Sequence, residues 1–364
     1  MNEKYVLLKD FPMEEILLLA ERGDPDAQYV LGDMFYLGQQ VKLDNAKAIA
    51  WFRRAAVKNH IDAQRRLGYM FEEGRGVLKD DKQAALWFRR AAVQGDARSQ
   101  NNLGVRYTKG AGVPQNYKQA AVWFQAAADQ GHANAQVHLG YLYAKGQGVS
   151  QDNAQAVAWY QKAAEQGDAR AQNNLGARYA QGQGVPKNDA EAVAWYRKAA
   201  EQGLASAQNN LGVRYAKGEG VERNDAQAVA WFKMAAEQGH ANAQINLGYM
   251  FMKGQGIAQD LAKAVQWFRK AAEQGNAEAQ YNLGGMYFHG KGVAPNDAEA
   301  ILWCRKAAEQ GYADAQHNLA GMFHLGRGVQ QNNVRALLWF GLAADQGHAD
   351  AIKAVRWFSK HGQS

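Results

Sequence analysis

The dipeptide Ala27-Gln28 returns every 36 residues, as Ala63-Gln64, Ser99-Gln100, Ala135-Gln136, Ala171-Gln172, Ala207-Gln208, Ala243-Gln244, Ala279-Gln280 and Ala315-Gln316. Nine units thus follow one another without an insertion. Tryptophan keeps the same register from Trp51 to Trp339, and glycine keeps it at four positions, those of Gly32, Gly38, Gly76 and Gly95. A strict period of this length marks a stacked-repeat architecture: one unit is too small to bury its own apolar face, so neighbours must complete the core. The 38 glycines are therefore architecture and not linker.

Within one unit, Ala171, Leu175, Ala177 and Tyr179 fall at helical intervals, and Ala192, Val193, Trp195, Tyr196, Ala199 and Ala200 do so again. The spacing predicts two amphipathic helices per unit. Between them, Gly182 suits the left-handed residue that ends a helix and Pro186 cannot continue one. The second helix opens on an Asx followed three residues later by Gln or Glu: Asp80/Gln83, Asn116/Gln119, Asp152/Gln155, Asn188/Glu191, Asn224/Gln227 and Asn296/Glu299. This is a capping-box pattern. It closes on Gln-Gly, as at Gln202-Gly203, with Asn59 in place of the glycine in the first unit. The framed tryptophans are expected to be the large core inserts, each burying about 150–250 Å². The glycines of the Gly32 position lie inside a helix, where each costs about 1 kcal/mol relative to alanine, and close helix approach around the tryptophan rings is expected to offset that.

The ends differ. Segment 12–22 resembles a second helix without its tryptophan, and 351–360 a first helix carrying Trp357-Phe358 in place of small residues. The expected fold is all-α, a right-handed α/α superhelix (solenoid) of nine 36-residue helix-turn-helix repeats with capping helices, twenty helices in all. The expected division is an N-terminal segment and capping helix at 1–22, one solenoid domain at 23–350, and a C-terminal capping helix and tail at 351–364. Residues 1–11 have no counterpart in the repeat and are expected either to fray or to fold back on the first unit.

The string A-x-x-x-L-G-x-x-[YF]-x-x-G-x-G-V, continued by [DN]-x-x-x-A-x-x-W-[YF]-x-x-A-A-x-x-G, resembles the Sel-1-like repeat family, relatives of the tetratricopeptide repeat. The resemblance covers residues 23–358. Its departures are Gln40 for a loop glycine, Ala320 for the helix glycine, Cys304 for the aromatic after Trp303, and Ile257 for the loop valine. The family implies a scaffold for protein–protein contacts, often in bacterial signalling, envelope quality control or host interaction. Some secreted members carry a cysteine pair in each repeat and are associated with penicillin binding; this chain has a single cysteine, Cys304.

By the same resemblance, first helices line the concave surface. There the string N-N-L-G-x-R-Y places Asn102/Arg106, Asn174/Arg178 and Asn210/Arg214 four residues apart on one helical face. Amides can pair with the backbone of an extended peptide and arginines with its carboxylates; the competing roles are structural asparagines and arginines paired within the chain. Elsewhere the arginine position holds Met34, Met70, Leu142, Met250, Met286 and Met322, preceded at three sites by Tyr69, Tyr141 and Tyr249. These suit partner binding and suit the inter-repeat core still better.

Other chemistries find little footing. A hydrophobic content of 47% against 21% charged excludes wholesale disorder. His60, His132, His240 and His348 are a whole repeat or more apart in a turn, which favours a turn role over a metal site, and His317 and His324 lack a third ligand nearby. The glycine loops lack the Lys-Ser/Thr of a phosphate loop. No catalytic set, metal or cofactor is expected. The net charge of +7 is spread thinly, so RNA binding, as in other helical-repeat proteins, and carbohydrate or cell-wall binding stand as alternatives to a protein or peptide partner. Nothing in the chain resembles a signal peptide or membrane span, and with no internal disulfide available the expected location is a bacterial cytoplasm. Signal-independent export fits the same sequence.

Overall fold

A computed structural model of the chain describes Leu8 and residues 11–361. The expectation for 1–11 therefore falls largely outside the described residues; Leu8 is buried with Ile16, Ala20 and Leu31. Among the described residues there are twenty helices and no strand. They form two compact units, Met1–Lys187 and Asn188–Ser364. In the first, Met13–Glu21 precedes four helix pairs, from Pro25–Leu37 with Asn45–Ala56 to Ala133–Lys145 with Asn153–Glu165, and Ala169–Gln181 follows. The second opens on Asp189–Glu201, runs through four pairs from Ala205–Lys217 with Asp225–Glu237 to Ala313–Leu325 with Asn333–Asp345, and ends on Ala349–His361. Repeats are numbered below from the one that begins at Pro25–Leu37.

Each helix boundary has a local cause. The Asx residues read as second-helix caps accept the backbone N–H three residues on, at 3.0 Å for Asp80, Asn116, Asp152 and Asn296. First helices end on left-handed glycines such as Gly182, φ 66°. First-helix caps went unrecognised in the sequence because they alternate in chemistry. Asp24, Asp96 and Asp168 cap by carboxylate, whereas His60, His132, His240 and His348 accept the N–H of Ala63, Ala135, Ala243 and Ala351 through Nδ1 at 3.2–3.3 Å.

The helix glycines do mark close approach, but the ring they meet is not the tryptophan. A Cβ on Gly32, Gly68, Gly104, Gly212 or Gly248 would lie 2.6–2.9 Å from the ring of Phe52, Phe88, Phe124, Phe232 or Phe268, the residue after the tryptophan. Those rings are at most 2% exposed. The tryptophans sit one position further round the helix; Trp195 and Trp267 are half-buried and Trp87, Trp159 and Trp303 buried. Cations three residues on cover them: Lys162 lies 3.9 Å from the Trp159 centroid, Lys198 4.0 Å from Trp195 and Lys270 4.2 Å from Trp267.

The loop glycines join repeats. A Cβ on Gly112, Gly184 or Gly220 would lie 1.9–2.1 Å from the carbonyl oxygen of Asp81, Asn153 or Asp189, at the start of the preceding second helix. Glycines of the Gly95 position, by contrast, have nothing within 4 Å of such a Cβ. Only their left-handed backbone is required there, which Asn59 meets at φ 64°.

A glutamine relay completes the junction. The repeated Gln64, Gln100, Gln136, Gln208, Gln244, Gln280 and Gln316 are buried, and their Nε2 donates to the carbonyl eight residues earlier, as Gln244 does to Ala236 at 3.1 Å. Their Oε1 accepts from the glutamine that ends the next second helix, at 2.8 Å from Gln274 to Gln244 and from Gln310 to Gln280. In repeat 1 the terminal glutamine is replaced by Lys58, which donates to Gly23, and Gln28 Oε1 is left without a hydrogen bond.

Three substitutions separate these constraints. Gly248→Ala should lower the urea midpoint by the equivalent of about 1–3 kcal/mol through overpacking against Phe268, whereas Gly275→Asn should cost less than about 1 kcal/mol. Gln244→Leu should cost about 0.5–1.5 kcal/mol, because it removes the hydrogen bonds to the Ala236 carbonyl and from the Gln274 amide while each keeps a second partner, the Gly239 N–H and the Lys270 carbonyl. Comparing midpoints by circular dichroism checks all three.

Candidate functional site

The second, sixth, ninth and thirteenth residues of a first helix lie four, three and four apart and so share one face. The third, fourth, seventh and eighth turn into the core. This outer face reads Arg98, Asn102, Val105, Lys109 in repeat 3 and Asn134, His138, Tyr141, Lys145 in repeat 4. In the second unit it reads Ser206, Asn210, Val213, Lys217 in repeat 6 and Asn242, Asn246, Tyr249, Lys253 in repeat 7. The thirteenth position is exposed in every repeat, so each unit has a basic edge of its own, Lys109 with Lys145 in the first and Lys217 with Lys253 in the second.

The asparagines read as candidate ligand groups stand on this face. Asn102, Asn174 and Asn210 are half-buried. Asn102 donates to the Tyr69 hydroxyl at 2.8 Å, Asn282 to the Tyr249 hydroxyl at 2.7 Å, and Asn246 to Asn209 at 2.9 Å. The tyrosines occupy the ninth position. Tyr69 and Tyr249 set their edges against Phe88 and Phe268, with centroids 5.1 and 5.2 Å apart, while Tyr141 is 47% exposed.

The tenth position turns away from the outer face. Met34, Met70, Leu142, Met250, Met286 and Met322 are buried there. The arginines at the same position are paired within the chain. Arg106 is 3% exposed, 3.0 Å from Glu72 and 3.1 Å from Asp81, with its guanidinium 5.3 Å from the Phe88 centroid. Arg178 donates to Asn153 at 3.4 Å and to Gln183. Arg214 pairs with Asp189 at 3.3 Å and with Glu219. Sequence reasoning missed the lysine edge; the four-three-four spacing running out from the asparagines was the signal that could have found it.

No group of three or more His, Cys, Asp or Glu among the described residues is placed to hold a metal ion. His317 stacks on His348 at 4.6 Å, while His324 packs against Phe358 at 5.2 Å. Cys304 is buried, and burial pushes its thiol up to about 12. No helix among the described residues is long and apolar enough to cross a membrane.

Stacked helix pairs with a regular polar face define an α-solenoid, a fold typical of protein–protein interaction scaffolds. The chain belongs to the Sel1 repeat family, whose pattern matches nine full repeats from 25–60 to 313–348 and a partial tenth at 349–360, the helix read above as the C-terminal cap. It is similar to a solved Sel1 repeat protein from Oxalobacter formigenes, at 33% identity over 88% of this chain and 95% of that one, with a TM-score of 0.69. It is also similar to a protective antigen of uropathogenic Escherichia coli strains displaying the same fold, at 32% identity over 98% and 91% of the chains, with a TM-score of 0.60. No curated protein matches the sequence.

The histidines make stability pH-dependent. Burial lowers the pKa of the caps His60, His132 and His240, and takes His138, stacked on Phe124, down to about 4. A cap that accepts through Nδ1 must be neutral, whereas the unfolded chain binds the proton near pH 6.5. This contribution is therefore complete above about pH 6.5 and is lost progressively as pH falls below it. Urea midpoints should drop across that window, and the drop should shrink in a His60→Asn, His132→Asn, His240→Asn variant.

Proposed function

We propose that this protein is a non-catalytic adaptor that binds an extended segment of a protein partner along the outer face of its first helices, acting in the bacterial cytoplasm. The observation that supports it is an amide at the sixth position within each unit, Asn102 and Asn174 in the first and Asn210, Asn246, Asn282 and Asn318 in the second, beside exposed lysines. An extended peptide presents N–H and C=O groups at every residue, and a regular row of amides can pair with them whatever the side chains. Where Asn102 and Asn282 give their NH₂ to tyrosine hydroxyls, the carbonyl end is the group that can accept from a peptide N–H. The lysines favour an acidic segment. Tyr141 offers an aromatic face to a partner side chain, and Tyr69 and Tyr249 orient the amides.

In this reading Arg106, Arg178 and Arg214 serve binding by positioning: each holds a loop or helix start against the face that carries the asparagines. Peptide display against the intact chain tests it. Acidic segments should be enriched, and the Asn102→Ala, Asn174→Ala, Asn210→Ala variant should bind them at least tenfold more weakly at an unchanged urea midpoint, from about 0.5–1.5 kcal/mol per hydrogen bond. Arg106→Ala should instead lower the midpoint. If the asparagine variant binds the selected peptides as the wild type does, the outer face is not the site. If RNA from lysate competes them off, the lysine edge serves nucleic acid.

A further inference from the structure

The ring that packs against the first helix is missing once. In eight repeats the residue after the tryptophan is Phe or Tyr; in repeat 8 it is Cys304, whose sulfur would lie 2.7 Å from a Cβ on Gly284. A thiol fills much less space than a phenyl ring. On the outer face directly above, the ninth position is glycine in both adjoining first helices, Gly285 and Gly321, where the other repeats carry Asp, Tyr, Val or Ala. Neither glycine belongs to the four framed positions, and a Cβ on either would have nothing within 4 Å. The backbone there therefore does not demand glycine.

The three small residues line one cavity of about 270 Å³, with Cys304 at its floor, Phe288 and Met322 along its walls, and Asn318, His289 and Leu325 toward solvent. Leu325 is 67% exposed. His317 enters the wall with its ring held between Phe340 and His348, at centroid distances of 5.5 and 4.6 Å. An apolar cavity of roughly 150 Å³ is already enough to admit benzene. Between repeats 3 and 4, the equivalent place is floored by the ring of Phe124 with His138 stacked on it at 4.9 Å and Tyr141 at the edge. The two clefts are alike in volume, about 290 Å³ there and 270 Å³ in repeats 8 and 9, and differ in lining: Thr108, Tyr117 and Gln147 there, against Phe288, Met322 and Leu325 beside the glycines here.

We infer that the cavity between the first helices of repeats 8 and 9 is a specificity pocket that takes one aromatic side chain of the bound partner segment. The Cys304 thiol at the floor and the Phe288 and Met322 side chains along the walls accept the ring, and Asn318 and His289 offer polar groups at the mouth for a phenol hydroxyl, an indole N–H or the adjacent peptide backbone. The inference rests on the peptide-binding reading for the source of the ring, but the pocket can be tested without a peptide. Saturation-transfer NMR with the N-acetyl amides of phenylalanine and tryptophan, and of alanine as control, should show binding of the aromatic pair alone.

Cys304→Phe should weaken that binding at least tenfold while raising the urea midpoint, because it restores the ring that Gly248 meets in Phe268. Cys304→Ala, which keeps the space, should retain binding. Equal binding to wild type and Cys304→Phe would overturn the assignment, as would absence of binding to the wild type. Should Cys304→Phe fold poorly, Gly321→Val carries the same test from the outer face. Aromatic amides that bind where no display peptide does would leave the pocket standing and the peptide reading refuted. Selected peptides whose affinity ignores both an aromatic residue and Cys304→Phe would do the reverse.

Discussion

The approach of a buried ring to a helix glycine, repeated every 36 residues, is the contact on which the rest of this structure depends. With hydrogen in place of a methyl group at Gly68, the Phe88 ring lies where a Cβ would stand 2.6 Å away. The two helices of a repeat can therefore approach more closely than side chains would ordinarily permit. The helix penalty of glycine, about 1 kcal/mol, is small against the burial of an aromatic ring at a few per cent exposure. Once that distance is fixed, neighbouring repeats have a fixed surface to stack on. The loop glycine that meets the start of the preceding second helix and the glutamine relay at the helix ends then fall into register.

The relay shows why the framework tolerates so little variation. A buried amide without a partner costs about 1–3 kcal/mol, and at each junction the buried glutamine places its NH₂ on a helix-end carbonyl that also accepts the glycine N–H, and its oxygen under a second glutamine. Where the pattern breaks, the consequence is local. Lys58 in place of the terminal glutamine leaves Gln28 Oε1 without its bond, and Cys304 in place of a ring puts a thiol at the floor of a cavity lined by Phe288 and Met322. In an array of near-identical units, a departure of this kind stands out against its neighbours, and departures are where binding specificity can reside.

Much was legible in advance: two helices per unit, the Asx caps, the left-handed glycines and the terminal helices all follow from spacing and residue type. The asparagines, expected on the concave surface, are half-buried at the sixth position of their first helices. The sequence misled at two points. Tryptophan, the largest and most regular residue, was expected at the centre of the core, yet Phe88 and its counterparts hold that place while lysines and arginines cover the indoles. Arginine four residues after asparagine shares a helical face by spacing alone, yet four residues is a 400° turn. The remaining 40° carries Arg106 under the next loop, onto Glu72 and Asp81.

Local chemistry and the period were thus fixed by the sequence itself: each helix start and stop, the identity of a repeat, and the necessity of stacking are decided by residues near one another in the chain. Only tertiary packing decided which aromatic enters the core, which glutamine closes which carbonyl, and which stripe of the first helix remains open to a partner. Those outcomes depend on atoms eight to thirty-odd residues apart meeting within hydrogen-bond or van der Waals distance, and a residue's type and spacing do not carry that information.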